Sequence, residues 1–287
     1  MDKSMHFKKI FAATMLVVAM LLGSVIPTFA QTSLQIKGSD TMVNLMSDLG
    51  EAYMVAHPDV SIAVTGGGSG TGIAALINGT TDICASSRAM KDKEIELANS
   101  KSINPVNTVI GLDGIAVMVN AANPVSDLTM EQLKKIYTGE YTRWSEVGGP
   151  DEPIIVLSRE SNSGTYVYFQ EHVLEKADYT AKARLMPSTA AVVSSVTEDK
   201  WTIGYGGIAY AEKSAVKMIH VKATPESPAV APSNETVLDG SYPISRPLFI
   251  YTNGEPSGTI KDFLDFCLTE AGQAIVLDTG YIPAPKK

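Results

Sequence analysis

The sequence predicts an α/β protein with a mostly parallel sheet, folded as two αβ lobes joined by crossing strands with a ligand cleft between them. Strand-like and helix-like segments alternate as βαβαβ between residues 34 and 100, which is typical of an α/β layer. The apolar run 109–120 is long for one strand and has a central glycine, so we expect it to pass from one lobe into the other. A strand-like segment at 246–253 returns near the end of the chain.

The first lobe is predicted to contain residues 31–113 and 246–287. The strands are LQI at 34–36, VSIAVT at 60–65 and TDICAS at 81–86. A helix precedes His57-Pro58, and shorter helices are expected at 72–77 and 91–100. The helix before His57 is indicated by apolar residues at spacings of three and four: Met42, Leu45, Met46, Leu49, Tyr53 and Ala56.

The second lobe is predicted to span residues 114–245. Thr129 and Gln132 have capping-box spacing at the start of a helix, a strand follows at 154–159, and helices are expected at 163–177 and 189–199. The Pro- and Ser-rich stretch 223–245 indicates a surface excursion. After the returning strand, Ile260, Phe263, Leu264, Cys267 and Leu268 indicate a final amphipathic helix.

Residues 1–30 are predicted to be a cleaved secretory signal peptide. Three lysines precede an apolar run from 10 to 26, and PTFA at 27–30 is a suitable small-residue cleavage site. A retained membrane anchor is the alternative, although a run of about 17 lies at the lower limit for spanning a bilayer. Without a cysteine near position 30, no lipid-modified N-terminus is expected, and the predicted location is the periplasm.

Net charge and cysteine content restrict the class of protein. The 287-residue chain has a formal charge of −8, and removal of residues 1–30 leaves −10, which argues against nucleic acid as a partner. Two cysteines, Cys84 and Cys267, are too few for a disulfide scaffold. We expect both to be buried, with a single bridge as the alternative.

The segment TGGGSGTG at 65–72 lies between a strand and a helix, where bare backbone amides and the helix dipole favour an anion. It is not a nucleotide P-loop, because Ile73 stands where that motif needs lysine, and its spacing does not fit a dinucleotide fingerprint. A flexible turn remains the simplest alternative.

Two further turns from strand to helix repeat this composition. IKGSDTM at 36–42 places Ser39 and Thr41 at a helix start, and VLSRESNSGTYVYF at 156–169 does the same with Ser163, Gly164 and Thr165. Ordinary N-capping would explain each turn separately. Together with Ser69 and Gly70 of the glycine segment, they predict a set of hydroxyl and amide donors for one anion.

Two charged residues complete the candidate site. Arg159, at the end of a strand, could pair two oxygens of a tetrahedral anion, with a surface ion pair as the alternative. Asp82, at the head of a strand, could accept the proton of HPO₄²⁻ or H₂PO₄⁻. Sulfate has no such proton, so an acceptor left without a donor would reject it by a few kcal/mol.

These segments resemble the phosphate-binding proteins that feed phosphate ABC transporters in bacteria and archaea. The resemblance covers nearly all of the chain after residue 30, through KGSDTM, TGGGSGTGIAALINGTTDICASSRAMK, SRESNSGT and IGYGGIAYAE. It implies a type II periplasmic-binding-protein fold that closes over one phosphate, with ABC transporter permease subunits as the membrane partner. Neither a cofactor nor oligomerisation is expected.

Carried over by position, the resemblance assigns phosphate binding to Ser69, Gly70, Asp82, Arg159, Ser163, Gly164 and Thr165, with Ser39 and Thr41 in the first loop. Asp40 departs from the uncharged loop of many relatives, so its role stays open between helix capping and accepting a ligand proton. The role of Arg88 is also open, between orienting Asp82, holding the ligand and lying at the surface.

Three alternatives remain. A binding protein for sulfate, molybdate or tungstate would use the same fold, and a secreted phosphate-binding protein need not serve a transporter. A phosphoester hydrolase is disfavoured, because no histidine lies near these motifs and G-x-S-x-G is missing, as is a His/Cys cluster with metal spacing. We therefore expect a binding protein and not an enzyme, with no metal site.

Overall fold

The computed structural model describes residues 31–285, and the predicted signal peptide lies outside this range. Twelve strands and ten α-helices alternate along this part of the chain. The strands are β1 (Thr32–Gly38), β2 (Val60–Thr65), β3 (Ile83–Ser86), β4 (Pro105–Asn120), β5 (Asp127–Thr129), β6 (Ile155–Arg159), β7 (Arg184–Met186), β8 (Thr202–Gly207), β9 (Val216–Met218), β10 (His220–Lys222), β11 (Ser245–Asn253) and β12 (Ile282–Pro283).

The helices lie between these strands and at the end of the described chain. They are α1 (Val43–Ala56), α2 (Ser69–Ile77), α3 (Asp92–Ser100), α4 (Met130–Thr138), α5 (Gly164–His172), α6 (Thr189–Glu198), α7 (Ile208–Glu212), α8 (Asn234–Leu238), α9 (Gly258–Leu268) and α10 (Glu270–Asp278). Two 3₁₀ turns, Asp40–Met42 and Trp144–Val147, add to them.

One large mixed sheet has the strand order β2-β1-β3-β11-β4-β8-β6-β7, and β9 and β12 also pair with β4. β1, β2 and β3 are parallel, as are β6, β7 and β8, while β11 runs antiparallel to β3 and β4. The 16-residue β4 pairs with β11 through 105–114 and with β8 through 115–119. Thus β4 and β11 connect the two parallel groups of strands.

Two hydrophobic cores of buried apolar side chains lie along this sheet. One contains residues of 34–110 and 248–281 together with Ala209, and a small cluster around Ile73 and Leu76 lies in the same part of the chain. The other contains residues of 115–244 together with Ile282. The chain therefore passes from one hydrophobic core to the other within β4, and it returns where β11 begins.

Most local expectations are confirmed. α1 ends at Ala56 before His57-Pro58, β2 spans 60–65, and Thr129 and Gln132 form a capping box with exchanged bonds of 2.9 and 3.0 Å. Cys84 and Cys267 are buried free thiols, so the alternative of a bridge is wrong for this structure.

Three local expectations need correction. The helix expected at 163–177 ends at His172, and Glu175 and Lys176 adopt positive φ angles that a helix cannot contain. The stretch 223–245 includes α8, and its residues Tyr242 and Ile244 are buried, so it is only partly a surface excursion. After α9 a further helix follows, because the Thr269 hydroxyl caps α10 at the Gly272 amide.

Candidate functional site

The starts of three helical segments converge at the carboxyl ends of β1, β2, β3 and β6. Ser39 precedes the first 3₁₀ turn, Gly68 precedes α2, and Ser163 precedes α5. The first amides of a helix have no carbonyl partner inside it, and the helix dipole is positive at that end. A parallel sheet whose loops meet at one edge therefore presents donors from separate parts of the chain to one place.

Buried hydroxyl groups form the centre of the site. The Ser39 hydroxyl donates to Ser87 Oγ over 2.8 Å, Ser87 Oγ lies 3.3 Å from Ser69 Oγ, and the Ser87 amide donates to Ser69 Oγ over 3.1 Å. Thr41 Oγ1 and Thr165 Oγ1 are 3.1 Å apart, although 124 residues separate them in sequence. All five residues are at most 3% exposed, so a ligand here would be removed from bulk water.

Gly164 stands where α5 meets this cluster. A Cβ atom at position 164 would lie 2.3 Å from Ser69 Oγ and 2.7 Å from Ser87 Oγ, closer than atoms can pack. Gly68 has a φ of 90°, and a Cβ atom there would lie 2.6 Å from the Asn162 carbonyl oxygen. Glycine is therefore required at both positions for the backbone to approach its neighbours.

Ser163 and Gly70 have protein partners of their own. The Ser163 hydroxyl accepts from the Tyr166 amide at 3.4 Å, which is the N-capping that its sequence position allowed, and its own proton stays available. The Gly70 amide donates to the Asn162 carbonyl over 2.9 Å. Gly70 therefore lies beside the cluster, but its amide is not free for an anion, contrary to the expectation.

Arg159, at the end of β6, is buried and reaches across to Asp40. Its Nη2 donates to Asp40 Oδ2 over 2.8 Å and to the Pro187 carbonyl over 3.1 Å, Nη1 donates to Thr189 Oγ1, and Nε donates to the Met186 carbonyl. Of the five N–H groups of a guanidinium, one on Nη1 is left. Binding two oxygens of an anion would therefore require Arg159 to give up one of its bonds to protein, such as the bond to Asp40.

Burial determines the electrostatics around Arg159. Burial lowers the pKa of the Arg159 guanidinium, and the neighbouring Asp40 carboxylate opposes that shift. Asp40 Oδ1 accepts from the Gly67 amide over 2.8 Å, and the Asp40 carbonyl accepts from the Tyr210 hydroxyl over 3.0 Å. Asp40 thus connects the first loop, the glycine segment and Arg159, which makes it the carboxylate of the site.

Asp82 is not at the site, and the expectation placed it wrongly. Its carboxylate is exposed and accepts from the Gln35 amide over 2.8 Å. Asp82 precedes β3, whereas Ser87 follows that strand, so the length of the strand, about 13 Å, separates Asp82 from the cluster. The residue of this segment that does reach the cluster is Ser87.

Arg88 does not contact Asp82 either. Its guanidinium forms two bonds of 2.7 Å to the Glu94 carboxylate, and the side chain is 7% exposed. Arg88 therefore has a structural partner within the segment that leads into α3.

Sequence reasoning missed two kinds of site residue. One is Ser87 in the segment TDICASSR: because β3 runs from Ile83 to Ser86, the residue that follows the strand reaches the cluster and Asp82, which precedes it, does not. Arg246 and Asp113, which lie beneath Thr41 and Thr165, gave no local signal. Within residues 31–285, no cluster of His, Cys, Asp and Glu suits a metal ion, and no helix is long and apolar enough to cross a membrane.

Comparison with known proteins places the chain in a class defined by this fold. Residues 25–271 match the family model described as a PBP superfamily domain. A phosphate ABC transporter substrate-binding protein with bound phosphate from Clostridium perfringens superposes with a TM-score of 0.80 at 34% identity, covering 88% of this chain and all of the other. The chain has the type II fold of periplasmic binding proteins.

Sequence relatives identify the family more closely. The chain is 33% identical to the phosphate-binding protein PstS of Pseudomonas aeruginosa, covering 87% of this chain and 82% of that protein. It is 37% identical to PstS of Staphylococcus epidermidis, covering 88% and 78%. The chain belongs to the PstS family of phosphate-binding proteins.

Proposed function

We propose that this protein captures inorganic phosphate in a cleft between two lobes and delivers it to the permease subunits of an ABC-type phosphate importer. The proposed lobes are residues 31–113 with 246–287, and residues 114–245. The division of the buried apolar residues within β4 and before β11 supports them. The observation on which the function depends is the convergence of buried hydroxyls, helix starts and Arg159 from both lobes.

The proposed donors are the hydroxyls of Ser39, Thr41, Ser69, Ser87, Ser163 and Thr165, the backbone of Gly164 and Thr165 at the start of α5, and Arg159. Such neutral and charge-assisted donors in a desolvated cleft bind an anion without relying on the overall field of the protein. The chain is acidic, with a formal charge of −8. We therefore expect salt to weaken binding only modestly.

Asp40 is the proposed acceptor for the proton of bound phosphate. It takes the role that Asp82 cannot fulfil, because Asp40 contacts both the glycine segment and Arg159. Sulfate has no proton at neutral pH and would leave the carboxylate facing an oxyanion without a hydrogen bond between them, which costs about 1–3 kcal/mol or more. The same carboxylate must yield part of its bond with Arg159 when the ion enters.

We propose binding without a covalent step. Among residues 31–285, the Ser69 and Ser87 hydroxyls bond to each other, to the Ser39 hydroxyl and to a backbone amide, and His172 Nδ1 is 2.9 Å from the Tyr168 carbonyl. Neither serine is therefore hydrogen-bonded to a histidine or carboxylate that would act as its general base. We also propose that the protein is exported to the periplasm by a cleaved signal peptide and that it works as a monomer.

Calorimetric titration of the exported protein with phosphate, sulfate and molybdate tests the function. We expect phosphate to bind at least about tenfold more tightly than sulfate, since a buried unpaired carboxylate costs about 1.4 kcal/mol or more. Equal or tighter binding of sulfate or molybdate would assign another oxyanion to the site.

Two aspartate variants provide a matched comparison. Asp40→Asn should lower the ratio of phosphate to sulfate affinity at least about tenfold, because an amide can donate to a fully ionised oxyanion. Asp82→Asn, which changes an exposed carboxylate outside the site, should leave that ratio unchanged. A ratio that responds to Asp82 and not to Asp40 would restore Asp82 to the site.

A further inference from the structure

A second buried arginine lies beneath the hydroxyl cluster, on the strands that connect the two groups of the sheet. Arg246 of β11 and Asp113 of β4 are register partners and are 2% and 1% exposed. Arg246 Nη2 donates to Asp113 Oδ2 over 2.9 Å, and Nε lies 3.2 Å from the same oxygen. This ion pair therefore joins the two strands where they pair.

The same nitrogen of Arg246 also contacts the cluster. Nη2 lies 3.0 Å from Thr165 Oγ1 and 3.4 Å from Thr41 Oγ1. Thr41 follows β1 in the proposed first lobe, and Thr165 begins α5 in the proposed second lobe. Arg246 is thus a donor shared by one hydroxyl from each side of the cleft.

The hydrogen bonds of the Arg246–Asp113 pair are incomplete. Arg246 Nη1 and the Asp113 Oδ1 atom are buried without hydrogen-bond partners among residues 31–285. An ion pair buried only to stabilise the fold would be expected to satisfy these atoms, since a buried unpaired polar atom is costly. The incomplete bonding and the proximity to the threonines both suggest a role toward the ligand.

We propose that Arg246 is a positioning residue for the anion, which orients the hydroxyl protons of Thr41 and Thr165 so that one of them points toward the ligand. This inference rests on the proposed function and adds to it a residue on the connecting strands. Arg246 acts through the two threonines, whereas Arg159 faces the ion from the end of β6.

The chemistry of a hydroxyl group explains the effect. A threonine hydroxyl has one proton and two acceptor positions, and its proton rotates to suit the surroundings. When a guanidinium N–H occupies an acceptor position, the hydroxyl proton turns away from the arginine. One of the two protons can lie between Thr41 and Thr165, and the other is left as a donor inside the cluster. An anion gains more from that donor than a neutral acceptor does, because a hydrogen bond to a charged group is stronger, and a cation does not gain from it.

The arrangement also connects binding to closure. Arg246 can hold both hydroxyls only when Thr41 and Thr165 are near each other, which requires contact between the two lobes. Because β4 and β11 join the lobes, the arginine stays in place while either threonine moves. The closed state therefore gains a charge-assisted contact, and an anion gains one hydroxyl donor fixed in orientation.

The test compares variants that separate the ion pair from the threonine contact. Asp113→Asn leaves the positive charge and the Thr165 bond, so phosphate affinity should stay within about threefold of the wild type or become tighter. Arg246→Met in the Asp113→Asn background removes the positive charge and the Thr165 bond, and it leaves no buried carboxylate without a partner. Phosphate affinity should then fall by about tenfold or more. Calorimetric titration gives the affinities, and thermal unfolding shows that each variant is folded.

Repeating the Arg246→Met comparison in a Thr165→Val background distinguishes a role toward the ligand from a purely structural role of Arg246. If Arg246 acts through Thr165, the loss caused by Arg246→Met should shrink to less than about threefold in that background. A loss that stays about tenfold, or a folded Arg246→Met/Asp113→Asn variant with unchanged affinity, would overturn the proposal.

If the methionine variant does not fold, Arg246→Lys takes its place. Lysine keeps the ion pair with Asp113 but lacks the fork that reaches the threonine, so affinity should fall at least about fivefold, and only when Thr165 is present. Unchanged affinity would overturn the role of Arg246. If the wild type binds sulfate or molybdate and not phosphate, the proposed function fails, while the same comparisons with that ion still decide the role of Arg246.

Discussion

Replacing Arg159 by methionine should separate the two contributions of this side chain, which are to the anion and to the fold. Methionine keeps much of the apolar volume and removes every N–H. The lost contacts with protein are one bond each to Met186, Pro187, Thr189 and Asp40, with lengths from 2.8 to 3.2 Å. The substitution also leaves the Asp40 carboxylate without its cationic partner.

The expected magnitudes follow from these contacts. One charge-assisted bond to the ligand contributes about 1.5–3 kcal/mol, so phosphate affinity should fall by at least about tenfold, which equals about 1.4 kcal/mol. Removing one partner of a largely buried ion pair should lower the free energy of unfolding by about 3 kcal/mol. In a domain of this size, that corresponds to a decrease in Tm of about 6–12 °C.

Calorimetric titration with phosphate measures the first effect, and thermal unfolding without ligand measures the second. Arg143→Met is the matched control, because Arg143 is an exposed arginine of the same proposed lobe and pairs with Asp151. It should change neither the phosphate affinity nor the Tm measurably, because an exposed ion pair contributes little to stability. A folded Arg159→Met variant with wild-type affinity would refute the position of the anion beside Arg159.

Three further outcomes are expected. Gly164→Ala should weaken phosphate binding at least about tenfold in calorimetry, because the new Cβ would lie 2.3 Å from Ser69 Oγ, and wild-type affinity would show that the serines do not hold the ion. The pKa of Glu94 is lowered, since the bonds to Arg88 and the Lys91 amide outweigh the opposing effect of burial. Its contribution to stability is therefore present above the unfolded pKa, about 4.3, and is lost as the pH falls through the lower folded pKa. Glu94→Gln should accordingly reduce Tm at pH 7 and much less at pH 3, whereas an equal reduction at both would contradict the ion pair. Burial raises the pKa of Cys84 to about 12 and also raises that of Cys267, so a thiol reagent should titrate neither in the native protein and both after unfolding. Reaction of either thiol with the native protein would contradict their burial.

Sequence patterns predicted the helices and turns whose interactions lie within a few residues of one another. The spacing of apolar residues before His57 and the Thr129 capping box each identify a helix, because their interactions span one or two turns. The hydroxyl and glycine residues after β1, before α2 and before α5 were predicted for the same reason. Parallel strands then bring those turns to one edge of the sheet.

The charged partners could not be predicted in this way. Asp40 and Arg159 are 119 residues apart, and Asp113 and Arg246 are 133 apart, so their pairing depends on strand order and register. Asp82 was placed wrongly for a different reason. A residue at the head of a parallel strand lies at the opposite edge of the sheet from the loops that follow the strands, and that direction favours Ser87.

The crystal structure of the exported protein grown with phosphate would locate the ion directly. We predict one tetrahedral ion within hydrogen-bond distance of the Ser39, Ser69 and Ser87 hydroxyls, the start of α5 at Gly164, and Arg159, with an Asp40 oxygen facing one phosphate oxygen. Phosphate bound outside this cluster, with the Arg159 to Asp40 bond and the serine contacts unchanged, would contradict the proposed site.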